Sequence, residues 1–207
     1  MLRGYYFITD DRLSLKGNIS DVCRSLDAGV KVIQYRAKDI STQKMIEEAA
    51  KLRELISKAL FIINDHIDVA LAVDADGVHL GQGDISCEEA RHLLGEHRKI
   101  GISVSTLDQA KLAFKQGADY LGIGPVFLTT TKSDAGAALG LDLIRKIKAE
   151  VSLPIVAIGG ITLDNAADVI RAGADVLCSI SAVVSKSDVK EEILKFNKLF
   201  EKIWKKY

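Results

Sequence analysis

The chain has 207 residues, 48% hydrophobic and 27% charged, which is enough for one substantial core and short for two domains. Its 28 Lys and Arg balance 28 Asp and Glu, so no global field favours nucleic acid or a membrane surface, and any anion must be held by local clusters. No apolar run approaches the roughly 18 residues of a membrane span. Cys23, Cys87 and Cys178 form neither a zinc pattern nor a disulfide framework, which points to a reducing cytoplasm.

In chain order, MLRGYYFITD reads as a strand rather than a signal peptide, with Tyr5–Asp10 its β-rich part. A helix over 19–28 follows, with Ser20 as its N-cap and Gly29 at its end. Val30–Arg36 is the second strand. Ser41 then caps a helix whose Met45, Ala49, Leu52 and Ile56 recur every three or four residues. Ala59–Asp65 is strand three, His66–Val73 a short helix and Gly77–Gly81 strand four. Ser86 and Glu89 (SCEE) form a capping box that opens a helix to Leu94. Lys99–Val104 is strand five, a helix runs from Thr106 to Gly117, and Tyr120–Val126 is strand six. A polar loop, FLTTTKSDAGAALG, precedes a helix over 141–151. Pro154–Gly160 is strand seven, Thr162 caps the next helix, and Val176–Ser181 is strand eight. The last helix, from about 188 to 207, carries Ile193, Phe196, Leu199, Phe200, Ile203 and Trp204 on one face, the stripe of a helix packed on the protein rather than on a membrane surface.

Eight apolar strands thus alternate with eight helices, and AGVKVI, QGADYLGI, AGADVLCS and the shorter ADGVHL repeat one helix-end, turn and strand-start unit. Near-continuous apolar strands call for a parallel sheet covered by helices. An open doubly wound sheet would need a glycine-rich first turn, and YYFITDDRLSLKG has none. The expected fold is a single-domain α/β (β/α)₈ barrel over 1–207, whose chemistry gathers at the C-terminal strand ends.

Those ends carry Gln34, Arg36 and Lys38 after strand two, on one face by the period of two, a clamp for an extended anion such as a diphosphate. Asn64 and Asp65 follow strand three, and Asp84 lies beyond strand four. Two carboxylates with few other ligands suit Mg²⁺, which takes one or two carboxylates plus substrate phosphate and water; the competing reading of Asp65 is a cap on the helix at His66. Zinc would require histidine or cysteine partners, and His66 and His79 lack the spacing; His79 either faces inward as a donor or packs. Ser103 and Ser105 lie at strand five. Thr129, Thr130, Thr131 and Lys132 form the densest hydroxyl-plus-cation cluster, a phosphate wrap or a lid hinged at Gly136 and Gly140. Gly159 and Gly160 end strand seven, and Ile180 and Ser181 end strand eight, where barrels commonly place a phosphate on backbone N–H groups. No serine or cysteine stands beside a histidine and an acid for acyl transfer. Two anion sites without a nucleophile suggest the joining of two phosphorylated small molecules.

The stretches QYRAK, INDHIDVALAVDADGVHLGQGD, GISVS, GADYLGIGPVFLTTTK, PIVAIGGI and SISAV, together spanning nearly the whole chain, resemble the thiamine phosphate synthase family. The resemblance implies a TIM barrel that joins hydroxymethylpyrimidine diphosphate to a thiazole phosphate or its carboxylated form. It implies that Gln34, Tyr35, Arg36, Ala37 and Lys38, with Asn64, Ser103 and Lys132, bind the pyrimidine diphosphate. Among these, Arg36, Lys38, Ser103 and Lys132 would be catalytic, and Asp65 and Asp84 would hold one Mg²⁺ per subunit. Thr129, Thr130, Thr131, Gly160, Ile180 and Ser181 would hold the thiazole phosphate. The implied reaction is dissociative, with diphosphate leaving before the thiazole nitrogen attacks. One departure stands out: where many members read GxSxH at strand five, this chain has Ser105 in place of the histidine. Thiazole tautomerases share the barrel and use that histidine but lack the metal and diphosphate residues; here the pattern is reversed. A non-catalytic binder of thiamine precursors is the remaining alternative. The expected partners are small molecules, with no nucleic acid and no membrane, and a homo-oligomer is left open.

Overall fold

A computed structural model describes residues 3–129, 131 and 136–204. Within them, eight parallel strands close into one barrel in sequence order: β1 (Gly4–Ile8), β2 (Val32–Tyr35), β3 (Leu60–Asn64), β4 (Gly77–Leu80), β5 (Lys99–Val104), β6 (Tyr120–Ile123), β7 (Ile155–Ile158) and β8 (Val176–Cys178). The pairing of Gly4 with Val176 and of Tyr5 with Leu177 closes the ring. The described helices are α1 (Asn18–Asp27), α2 (Thr42–Leu55), α3 (Ile67–Ala72), α4 (Cys87–Leu94), α5 (Leu107–Lys115), α6 (Gly140–Glu150), α7 (Ala166–Arg171), α8 (Ser181–Val184) and α9 (Val189–Trp204). The four-residue α8 was not expected. It inserts between β8 and α9 beside the mouth.

Strand alternation sorts the side chains into two cores. Phe7, Ile33, Phe61, Ile63, Val78, Ile100, Ile102, Leu121, Ile155 and Leu177 point outward, against the buried faces of the helices. Tyr6, Ile8, Val32, Ile62, Tyr120, Val156, Val176 and Cys178 fill the lumen. On α9, Ile193, Phe196, Phe200 and Ile203 are buried, as the one-sided stripe required. Cys87 and Cys178 are buried, and burial pushes both thiols up, away from the nucleophilic thiolate.

Two expected helix starts are corrected. Ser20 does not cap α1, because Gly17 is its N-cap and Ser20 falls within the first turn. The turn is organised earlier, where the Ser14 hydroxyl accepts from Gly17 N–H (2.8 Å) and donates to Asp21 (2.6 Å). Thr162 does not cap α7 either. Asn165 is the N-cap, and its Oδ1 accepts from Thr162 N–H at 2.9 Å, so a turn separates strand from helix. Ser41, Thr106 and the Ser86–Glu89 capping box stand as read.

The repeated ADG, ADY and ADV units share a function at the closed end of the barrel. The carboxylate of Asp76 accepts from Phe61 N–H (2.7 Å) and Arg53 (2.8 Å). Asp119 accepts from Ile100 N–H (2.9 Å), Lys99 (2.8 Å) and Arg91 (2.7 Å). Asp175 accepts from Ile155 N–H (2.9 Å) and Lys148 (2.6 Å). Each aspartate pins an even strand to the odd strand before it and takes a cation from the helix that precedes that odd strand. Burial acts to raise the Asp119 carboxyl, but the bonds from Lys99, Ile100 N–H and Arg91 outweigh it and hold the group below the ordinary carboxylate value.

Candidate active site

At the open end, β2 turns Gln34 into the lumen and the chain then leaves the strand before Arg36. The Arg36 backbone is fixed by Thr9, whose hydroxyl oxygen accepts from Arg36 N–H at 3.0 Å. Its guanidinium lies 3.9 Å from the buried carboxylate of Asp10, an acid not singled out from sequence. Lys38 reaches to 3.5 Å from Asp65. The period of two places Tyr35 and Ala37 on the other face. The Tyr35 hydroxyl donates to Glu48 of α2 at 2.7 Å and Ala37 packs on the outer core, so of these two residues only the backbone is available to a ligand in the mouth.

Asp65 has a left-handed backbone (φ 62°), and its N–H donates to the His79 carbonyl at 2.9 Å, one residue past the end of β3. The N-cap of α3 is His66, with no side-chain cap bond, so Asp65 is not spent on capping. Asp84 accepts from Gly81 N–H at 2.7 Å and lies within hydrogen-bonding reach of the Asp65 carboxyl. Its own carboxyl is raised, first by burial and then by the Asp65 charge, against the lowering effect of the Gly81 N–H. Two converging carboxylates that repel one another fit a hard divalent cation. Among the described residues no third carboxylate, histidine or cysteine completes a metal cage. That donor set suits Mg²⁺, which draws its other ligands from water and substrate phosphate.

Between these walls is a cavity of about 180 Å³, on the scale of the roughly 150 Å³ cavity that takes one benzene ring. Gln34, Arg36, Asn64, Ser103, Thr129, Thr131, Gly160, Ile180 and Ser181 all line it, bringing most of the expected residues together. Thr130 and Lys132 lie outside the described residues.

His79, Tyr6 and Tyr120 also line the cavity, and sequence reading missed them as a group. His79 bonds through Nε2 to Ser103 Oγ (2.9 Å) and through Nδ1 to the Tyr120 hydroxyl (3.1 Å). A serine thus stands beside a histidine, but the third member is a phenol and not the acid that an acyl-transfer triad requires. The available signal was register. Gly101 pairs with Tyr120, and a Cβ there would sit 2.0 Å from the tyrosine ring; a Cβ at Gly122 would sit 2.8 Å from His79. Two inward glycines in adjacent strands make room for two inward rings. Ser105, where a histidine was noted as missing, is exposed and bonded to Gln109 (3.0 Å).

Across the barrel, β7 is followed by Gly159 (φ 97°) and Gly160 (φ 63°). A Cβ at Gly160 would lie 2.6 Å from the Leu128 carbonyl, so the β6 loop and this turn touch through bare backbone. Ser179 fixes the neighbouring strand end, its hydroxyl donating to the Ile161 carbonyl at 2.5 Å while its own backbone carbonyl accepts from Tyr5. Asn165 holds the Gly160 carbonyl at 3.0 Å. This uncharged turn lines the same cavity as Arg36.

The thiamine monophosphate synthase family model matches residues 5–183. The chain belongs to the thiamine monophosphate synthase family. It is 53% identical to a thiamine-phosphate synthase of Methanosarcina barkeri over 91% of this chain and 86% of that one. It is 51% identical to the Chloroflexus aurantiacus protein of the same name over 89% and 86%. The solved thiamine phosphate pyrophosphorylase of Pyrococcus furiosus superposes with TM-score 0.87 at 43% identity, covering 97% of this chain and 96% of that chain. Membership in the thiamine monophosphate synthase family supports thiamine-phosphate synthase activity for this chain.

Proposed function

We propose that the protein joins 4-amino-2-methyl-5-(diphosphooxymethyl)pyrimidine to a thiazole phosphate, releasing diphosphate and forming thiamine phosphate. The observation that carries this reading is one ring-sized cavity lined by Gln34, Arg36, Asn64 and Ser103 and by the Gly159–Gly160 turn and the β8 end, with Lys38 paired to Asp65 and Asp84 beside it at the strand ends next to Arg36 and Asn64. Arg36, Lys38 and Lys132 bind the oxygens of the diphosphate, and Gln34, Asn64 and Ser103 face the pyrimidine. Thr129, Thr130, Thr131, Gly160 and the Ile180–Ser181 backbone hold the thiazole phosphate. Asp65 and Asp84 would hold Mg²⁺, which when bound neutralises charge on the diphosphate.

The reaction then needs no protein nucleophile. The bond from the pyrimidine methylene carbon to the diphosphate oxygen breaks, the electron pair leaving with oxygen. The carbocation is stabilised by the ring amino group, and the thiazole nitrogen donates its lone pair to form the new C–N bond. The cationic residues stabilise the departing charge, and the two phosphate sites hold the reacting atoms in line. A thiazole tautomerase would need a base at the end of β5, where Ser105 is exposed and engaged with Gln109. Incubation with both substrates and Mg²⁺ should yield thiamine phosphate and diphosphate in equal amounts. Tight binding of both without product would sink the reading in favour of a binder. Asp65→Asn and Lys132→Ala should each cut turnover by on the order of 10² or more.

A further inference from the structure

The lumen below the cavity contains an unbroken chain of hydrogen bonds that runs from one wall to the other. Gln34 Nε2 donates to the Tyr6 hydroxyl (2.9 Å), the Tyr6 and Tyr120 hydroxyls are 2.9 Å apart, Tyr120 is 3.1 Å from His79 Nδ1, and His79 Nε2 is 2.9 Å from Ser103 Oγ. Burial pushes both phenols well above their ordinary value, so each keeps its single proton. With the imidazole neutral and no buried phenol proton left unspent, which would cost its desolvation, the chain has only two consistent arrangements.

In the first, the Gln34 amide donates to Tyr6, Tyr6 to Tyr120 and Tyr120 to His79 Nδ1. The imidazole proton is then on Nε2 and points to Ser103, whose own proton is left for the cavity, as is the Gln34 carbonyl. In the second, the Gln34 amide is turned over and every bond reverses. Ser103 then donates to Nε2 and offers the cavity only lone pairs, while Gln34 offers N–H. An acceptor at one end thus goes with a donor at the other, although β2 and β5 are three strands apart.

We propose that this chain couples Gln34 to Ser103, so that Tyr6, Tyr120 and His79 are positioning residues that present a 4-aminopyrimidine with a matched acceptor and donor. The ligand half of the proposal rests on the functional reading above; the chain itself does not. A 4-aminopyrimidine carries an N–H donor beside a lone-pair nitrogen, the complement of an acceptor at Gln34 and a donor at Ser103. Its 4-oxo counterpart carries the reverse pattern and requires all of the bonds to turn over together.

The test reads the ring directly. Nitrogen-15 NMR of His79 in the ligand-free protein should show one neutral tautomer, with the proton on Nε2. Tyr6→Phe removes one oxygen that His79 does not touch, and should turn that signal into a mixture of tautomers. The same variant should bind the aminopyrimidine diphosphate about tenfold more weakly, leave thiazole phosphate affinity unchanged, and discriminate less against the 4-oxo analogue. Tyr120→Phe serves as a second break in the chain should Tyr6→Phe fold poorly. Identical His79 shifts in wild type and both variants would overturn the coupling. Failure of the wild type to bind the aminopyrimidine diphosphate would overturn the functional reading instead, and the tautomer result would stand apart from it.

Discussion

Gly122→Ala places a single methyl group against the ring that the site depends on. The new Cβ would lie 2.8 Å from His79 Cε1 and 3.1 Å from Nε2, whereas an ordinary contact begins at 3.4 Å. The imidazole must therefore retreat by about 0.6 Å while held at both nitrogens, by Tyr120 at 3.1 Å and Ser103 at 2.9 Å. A shift of that size carries the His79–Ser103 bond towards 3.5 Å, outside the normal range of about 2.7–3.2 Å. Overpacking of a close-packed lumen costs about 1–3 kcal/mol, and loss of the bond adds about 1 kcal/mol. A net of about 2–4 kcal/mol corresponds to a fall in Tm of about 4–16 °C for a chain of this length. The same displacement should raise KM for the pyrimidine diphosphate while leaving KM for the thiazole phosphate alone. Calorimetry and steady-state kinetics on the purified variant measure both. Gly83→Ala, whose Cβ meets nothing within 4 Å, is the control for stability. Wild-type Tm and KM in Gly122→Ala would refute the placement of His79 against β6.

Asp84→Asn should raise the Mg²⁺ concentration for half-maximal rate by on the order of tenfold or more, measured by titrating the metal at saturating substrates, because one of two carboxylates is lost. Gly160→Ala should raise KM for the thiazole phosphate but not for the pyrimidine diphosphate, since its Cβ would displace the Leu128 carbonyl 2.6 Å away and its φ of +63° disfavours a side chain. Asp119→Asn should cost about 1–3 kcal/mol at pH 7 by breaking charge-assisted bonds. The Asp119 carboxyl is depressed in the folded protein, so its stabilisation is present above the ordinary carboxylate value and is lost as pH falls through the lower folded value. The Tm gap between variant and wild type should accordingly close in acid.

The sequence was most informative where a local rule and a global one agreed. Strand alternation, glycine at helix ends and the SCEE box each specified geometry within a few residues, and the barrel followed from their count. Ser20 and Thr162 failed because a serine or threonine before a helical stretch signals a cap only if the chain enters the helix there; Gly17 and Asn165 decide that entry, through a positive φ and a side-chain turn. At the mouth, charge was easy to see in Arg36, Lys38, Asp65 and Asp84. The neutral relay under it was not, because Tyr6 and Tyr120 read as ordinary apolar strand residues and their meeting depends on pairings between strands distant in sequence. Tyr35 shows the converse, a residue between Gln34 and Arg36 whose side chain the strand pleat turns outward onto Glu48.

The three aspartate clamps divide the ring into unequal joints. They fasten β3 to β4, β5 to β6 and β7 to β8, each through a main-chain N–H of the odd strand and a cation from the helix that precedes it. In the equivalent unit ahead of β2 the chain reads AGVKVI, with Lys31 where AGADVLCS has Asp175. The β1–β2 joint thus lacks the electrostatic rivet that the three other odd-to-even pairs carry at that position. Amide exchange at Tyr6–Ile8 and Val32–Gln34 should then be faster than in the riveted pairs, and acid should narrow the difference from the β5–β6 pair as the depressed Asp119 carboxyl protonates. The hoop is closed by hydrogen bonds all round, but it has a clasp.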